Sequence, residues 1–334
     1  MKTYAFELSG EHGTLPKEEA LALLELYSSG FREIRTPLQC LIVEAEGLDP
    51  RALGKRLAMT HRIIEVLAIC EARSESLSDA AGRIELPQKR YRIRARRIND
   101  AALGTDEAER EVGRSLFRRG FKADLENPEV ELRAIITGGE VILGLEIART
   151  DRSSFEARRP HLKPFFHPGV LMPRMARALV NLSKVREKER LLDPFAGTGG
   201  ILVEACLIGI KGVGVEVQPR LARGALCNIE CLDCSIISGD AKRLPFKDVS
   251  LDAAVLDTPY GRSARIEAES KELLLAESLS ELHRVLRQER RMVIVADRPI
   301  DSDVKDAGFE ILQWHTDRVH RSLTRQIFVC RKVG

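Results

Sequence analysis

The run Arg190-Leu191-Leu192-Asp193-Pro194-Phe195-Ala196-Gly197-Thr198-Gly199-Gly200 sets the architecture of the C-terminal half of the chain. It reads as a short strand closing on Asp193, a glycine-rich turn, and a helix opened by Ile201, Leu202 and Ala205. Glycines between a strand and a helix let the backbone approach a ligand, and the helix start adds its free amides. A dinucleotide fingerprint needs a third glycine where Leu202 stands, and a phosphate loop needs Gly-Lys-Ser/Thr, which is absent. The loop therefore points to a ligand other than a bare phosphate chain.

The segments that follow alternate apolar strands with amphipathic helices. Strands are predicted at Gly212–Glu216, Ser235–Ser238, Leu251–Leu256 and Arg291–Ala296 after the first at Arg190–Asp193. With helices between them they make a doubly wound, mainly parallel α/β domain. The second strand ends in Glu216, next to Val217 and about twenty residues past the loop, where an acid accepts hydrogen bonds from ribose hydroxyls. The third ends Gly239-Asp240-Ala241, a carboxylate suited to an exocyclic amine. The fourth delivers Asp257-Thr258-Pro259-Tyr260-Gly261. Acids at successive strand ends beside one glycine loop make a ligand site more economical than a set of unrelated turns.

The first sixty-odd residues give the order β-α-β-β-α-β of a ferredoxin-like unit. Tyr4, Phe6 and Leu8 mark a strand and Pro16 opens a helix. Extended runs follow at Arg32–Arg35 and Cys40–Ala45, then a helix from Pro50 to Met59 and a strand at Ile63–Ile69. Residues 74–150 read as helix, strand, helix and a hairpin, Glu131–Ile136 and Glu140–Ile147, turning at Gly138-Gly139. Residues 151–168 hold three prolines and no periodicity, as a linker does.

With 334 residues the chain holds two to three domains at about 150 residues each. At 44% hydrophobic and 31% charged it is neither disordered nor fibrous. No apolar run approaches the roughly 18 residues of a membrane span, and Met1–Gly10 lacks a signal-peptide core. Seven cysteines, an odd number, read as reduced thiols of a cytoplasmic protein. The net charge of +3 is small, but basic residues outnumber acidic ones 12 to 6 in Arg83–Lys122 and 11 to 4 in Arg149–Arg190. Two such blocks suit a polyanion. In Lys89–Arg97 the strand period places Arg90, Arg92, Arg94 and Arg96 on one face, with Tyr91, Ile93 and Ala95 on the other. Their mutual repulsion is most simply relieved by a nearby polyphosphate. In the next helix Arg110, Arg114 and Arg118 form a stripe opposite Ala108, Val112 and Leu116. Arg325, in the C-terminal hairpin, is a further candidate phosphate contact, with a solvated turn as the alternative.

Asp257-Thr258-Pro259-Tyr260 resembles the (Asn/Asp)-Pro-Pro-Tyr motif of amino-directed nucleic-acid methyltransferases that use S-adenosylmethionine. Asp193–Gly200, Glu216, Asp240 and Asp257–Tyr260 stand in that family's order, with Thr258 replacing the first proline. The N-terminal half resembles a ferredoxin-like domain followed by a THUMP module, on Arg90–Arg97, the Val112-Gly113 helix and Asn127-Pro128-Glu129-Val130. Together they look most like the archaeal tRNA guanosine-10 N2-methyltransferases. The resemblance implies a Rossmann-like methyltransferase domain at 169–334, ferredoxin-like and THUMP domains at 1–72 and 73–150, and S-adenosylmethionine as donor. It implies N2-methylguanosine as product, with one methyl or two left open, and a THUMP grip on the tRNA acceptor end. His167 is implied as a cofactor contact. Asp257 would accept one N–H of the base amine and the Thr258 carbonyl the other, drawing a delocalised lone pair towards the methyl, while Pro259 holds the loop and Tyr260 stacks on the flipped base.

Cys227, Cys231 and Cys234 have the spacing of an iron–sulfur motif, but a helix predicted over Pro219–Leu232 is the wrong setting, so no metal is expected. That helix has Leu221, Ala222, Ala225, Leu226, Ile229 and Leu232 on its core face. The third strand is an expected sheet edge. Some members of the family pair with a small zinc-binding activator protein, for which Cys227–Ile237 is the expected seat, local packing being the alternative. Other readings are a DNA adenine or rRNA guanine methyltransferase, or an RNA-binding protein without catalysis. Cytosine C5 chemistry needs a nucleophilic cysteine, and none lies near Asp257.

Overall fold

The computed structural model describes residues 1–87, 90–99, 102–259, 268–321 and 323–333. Lys89, Tyr260 and Gly261, named above, lie outside the described residues. Two compact units are present, Met1–Asp151 and Arg152–Gly334. Among the described residues no helix is long and apolar enough to cross a membrane.

In the first unit the chain runs β1 (Lys2–Leu8), α1 (Leu15–Tyr27), β2 (Gly30–Arg35), β3 (Cys40–Glu46), α2 (Pro50–Arg56) and β4 (Thr60–Glu71), the expected order. Then come α3 (Ser74–Arg83), β5 (Arg90–Arg97), α4 (Thr105–Arg118), β6 (Lys122–Ala123), β7 (Val130–Thr137) and β8 (Glu140–Arg149). Local chemistry sets the boundaries. Pro50 fits the first turn of α2, and the Asp49 carboxylate accepts from the Arg51 and Ala52 amides at 3.1 and 3.0 Å. The β7–β8 turn holds Gly138 and Gly139 at φ +59° and +80°, which residues bearing a Cβ rarely adopt. All eight strands form one sheet, ordered β2-β3-β1-β4-β8-β7-β5-β6, joined by the antiparallel pairing of β4 with β8. Phe6, Leu23, Leu41 and Leu53 build one core, and Tyr91, Leu77, Val112 and Leu132 another.

In the second unit the segment expected to be without structure carries a short helix, α5 (Arg152–Glu156). There follow α6 (Pro173–Leu182), β9 (Arg190–Asp193), α7 (Gly200–Cys206), β10 (Lys211–Glu216), α8 (Pro219–Asn228), β11 (Cys234–Ser238) and β12 (Ala253–Asp257). The unit is completed by α9 (Ala268–Val285), β13 (Arg291–Ala296), α10 (Asp301–Asp306), β14 (Phe309–His320) and β15 (Leu323–Lys332). The sheet order is β11-β10-β9-β12-β13-β15-β14. Its first five strands are parallel, β15 pairs antiparallel with β13 and β14 antiparallel with β15, and β11 is the expected edge. Strand order reverses between β9 and β12, and at such a switch point the strands' carboxyl ends open a crevice. Leu192, Val215, Leu256, Ile294 and Leu279 fill the core beneath it. One expectation fails in detail. α8 stops at Asn228 rather than Leu232, Cys231 takes φ +67°, and Leu226, predicted to face the core, is 50% exposed.

Candidate active site

The crevice is a cleft of about 270 Å³ at the ends of β9, β10 and β12 and the turn after β11. β9 delivers Asp193, 1% exposed, whose Oδ1 accepts from the Phe195 amide at 3.1 Å. The loop then folds back onto β10, with the Ala196 amide donating to the Val215 carbonyl at 3.0 Å. Gly197 and Gly199 take φ +52° and +76°, which is why glycine is needed at both. The Gly197 amide donates to Glu216 Oε2 and the Gln218 amide to Oε1, each at 2.8 Å. Glu216 thus shapes the glycine loop as well as facing the cleft; each oxygen keeps a further lone pair for a ligand hydroxyl.

β12 ends on Asp257, and Thr258 and Pro259 follow it, all three lining the cleft. A proline at 258 would have no N–H. Thr258 donates both its amide and its Oγ1–H to the Val295 carbonyl, at 2.9 and 3.0 Å, and so ties this loop to β13.

The cleft brings together His167, Asp193, Pro194, Phe195, Ala196, Gly197, Thr198, Gly200, Glu216, Val217, Asp240, Ala241, Asp257, Thr258 and Pro259. Of the predicted site residues, Gly199 caps α7 behind the lining, and Tyr260 lies outside the described residues. His167 Nδ1 is 2.9 Å from the Pro168 carbonyl and so donates to it. Sequence spacing does not disclose the apolar wall of Val170, Leu171, Leu221 and Leu274. Leu221 has the helical spacing of a core residue, and no local signal marks Leu274, which α9 carries in from far along the chain.

Four carboxylates line the cleft, and no lysine or arginine does among the described residues. Burial drives the Asp193 carboxyl well above the usual carboxylate range. The Phe195 amide opposes this, and the neighbouring Asp257 and Glu216 charges reinforce it. Such a site suits a cationic ligand.

The arginine strand has a different setting from the one inferred. Arg90 meets Glu129 at 3.2 Å, Arg92 pairs with Glu131, Arg94 meets Glu109 at 3.5 Å, and Arg96 meets Glu7 at 2.7 Å. The alternation is as predicted, but β7, the residue before it, β1 and α4 supply carboxylates, so the row needs no polyanion to hold it. The ion pairs continue across the sheet: Arg62, Arg92, Arg96, Arg133 and Arg149 share Glu7, Glu131 and Glu146, leaving a local positive excess. On α4, Arg110, Arg114 and Arg118 are exposed opposite the buried Ala108, Val112 and Leu116, with Arg114 paired to Glu111 at 2.7 Å. Arg325 lies on β15, 8% exposed and 3.9 Å from Asp317.

A reversing parallel sheet, a glycine loop and an acidic cleft with Asp257-Thr258-Pro259 at its rim define a Rossmann-like methyltransferase domain. Residues 160–327 match the family model described as UPF0020, RMKL-like, methyltransferase domain. The chain belongs to the UPF0020 family and groups with archaeal enzymes named tRNA (guanine(10)-N2)-dimethyltransferase. The one from Methanothermobacter thermautotrophicus is 35% identical over 98% of both chains. The one from Methanocaldococcus jannaschii is 29% identical over 98% of this chain and 99% of that one. The solved structure of TrmN from Thermus thermophilus shares the fold with a TM-score of 0.57, at 23% identity over 99% of this chain and 100% of that one.

Proposed function

We propose that the chain transfers methyl groups from S-adenosylmethionine to the exocyclic N2 amine of a guanosine in tRNA, at position 10, for which its archaeal relatives are named. The observation that carries this is Asp257-Thr258-Pro259 at the rim of an acidic cleft beside the glycine loop. Glu216 would take the ribose, Asp240 the adenine amine, and the apolar wall the ring, while Asp193–Gly200, Val217, Ala241 and His167 close around the rest. When bound, the cofactor supplies an electrophilic sulfonium methyl to a site whose four carboxylates favour positive charge. The Asp257 carboxylate and Thr258 carbonyl accept the two N–H groups of the amine and turn its lone pair out of the ring. The bonds to Val295 keep that carbonyl in place, and Tyr260 would stack on the base.

Within the first unit, 1–72 would be the ferredoxin-like domain and 73–150 a THUMP domain that grips tRNA, with 151–168 linking to the methyltransferase domain at 169–334. The enzyme would act in the cytoplasm. The open edge of β11, with Cys227 and Cys231 exposed nearby, is where a small zinc-binding activator would seat; unchanged partner capture by Ile236→Glu would remove that idea.

The direct test is incubation with labelled S-adenosylmethionine and an unmodified tRNA transcript, then mass spectrometry of the nucleosides. N2-methylguanosine or its dimethyl form is the expected product, and methylated adenosine would overturn the assignment. For the RNA surface, Arg110→Glu with Arg118→Glu changes two exposed side chains on α4. Tenfold or more weaker tRNA binding, with a shallower dependence on salt, is expected by filter binding, since each phosphate contact adds roughly 0.7–0.9 to the salt slope. Parental binding would move the footprint off this helix.

A further inference from the structure

We infer that Asn228, at the end of α8, is a positioning residue for the cofactor cleft; this rests on the methyltransferase reading above. The wall formed by His167, Pro168, Gly169, Val170 and Leu171 belongs to a proline-broken segment with little secondary structure to hold it. Two residues before it, Phe165 is anchored twice. Its amide donates to Asn228 Oδ1 at 3.0 Å, and its carbonyl accepts from Asn228 Nδ2 at 2.9 Å. The same Nδ2 donates to the Thr198 carbonyl in the glycine loop, also at 2.9 Å. One planar amide, with an acceptor oxygen and two N–H donors, therefore joins both sides of the cleft. The Phe165 ring lies over Gly224, one turn earlier on α8, where an added Cβ would fall 2.1 Å from Phe165 Cδ1. The helix after β10 thus holds the wall through a side-chain amide at one point and through the absence of a side chain at another.

Asn228 meets three demands at once, one acceptor and two donors. Aspartate keeps the acceptor for the Phe165 amide but sets an anionic oxygen against two carbonyls. Alanine removes all three bonds.

The test uses the full-length protein and two substitutions that reach Phe165 independently. Asn228→Ala and Gly224→Ala are each expected to raise the Kd for S-adenosylmethionine, by isothermal titration calorimetry, about tenfold, the worth of roughly one hydrogen bond's ordering. Both should speed hydrogen exchange across residues 163–171 of the ligand-free protein. Asn228→Asp should bind no better than Asn228→Ala. A merely structural role predicts that affinity falls only in step with the melting temperature; a positioning role predicts that Gly224→Ala, which raises the helix propensity of α8, loses affinity out of proportion to any change in melting temperature. The double variant should be little worse than either single one, because both act through one segment. If the parent binds and both variants bind equally well, the role assigned to Asn228 is wrong. If the parent itself fails to bind, the methyltransferase reading is what fails.

Discussion

Asp257→Ala is expected to slow methyl transfer by 10²-fold or more, as loss of a preorganised polar contact to a reacting group does. An exocyclic guanine amine is a poor nucleophile while its lone pair is delocalised into the ring. Asp257, at the end of β12, is the acceptor proposed to change that, and without it the Thr258 carbonyl alone would orient the amine. The Thr258 amide and hydroxyl still bond to Val295 in this variant and keep the loop tied to β13. The other cleft carboxylates remain, so the cofactor Kd should move much less than the rate. Removing Asp257 also takes away one of the charges that hold the Asp193 carboxyl high, so Asp193 should titrate lower. Single-turnover assays with labelled donor, beside calorimetric binding of the same donor, separate the two quantities. A variant turning over within a few-fold of the parent would exclude this mechanism.

Glu7→Gln is expected to cost about 3–5 kcal/mol of stability, the usual result of removing one partner from a buried ion pair. Glu7 is 1% exposed on β1. Arg133 donates to both its oxygens at 2.7 and 2.9 Å, and Arg96 to one of them at 2.7 Å. Glutamine offers one uncharged acceptor to Arg133, Arg96 and, at 3.9 Å, Arg62, of which Arg133 is buried. For a unit of this size the loss corresponds to a fall in Tm on the order of 10 °C. Burial pushes the Glu7 carboxyl up, but Arg133 and Arg96 outweigh it and hold it below its ordinary value. Its contribution is therefore complete above the ordinary glutamate range and is lost as pH falls through the folded value. Differential scanning calorimetry across that range checks both points: the gap between parent and variant should narrow in acid. A gap that stayed constant with pH, or a variant as stable as the parent, would mean the network does not hold the sheet together.

Much of this architecture is legible residue by residue. The N-terminal elements, the parallel strands, the Gly138-Gly139 turn and the cleft acids all fall where spacing and turn chemistry place them. The misreadings share a cause. Ile229 and Leu232 continue the apolar spacing of α8 past its end, because periodicity reports which side chains are apolar and not where the backbone must turn into an edge strand. Leu226 fits the same wheel but is left half exposed. The arginine row of β5 looks self-repelling in isolation, although Glu7, 89 residues from Arg96, answers it across the sheet.

From the amino-acid order alone come the element types, the doubly wound half, the glycine loop and the Asp257–Tyr260 motif, since each depends on conformational preferences and spacings within a few residues. Charge partners, the clamp of Asn228 on a segment 63 residues away, the tie of Thr258 to Val295 and the apolar wall with Leu274 depend on the folded chain. An ion pair or hydrogen bond between distant residues exists only once the sheet has brought its two ends within about 3 Å of each other.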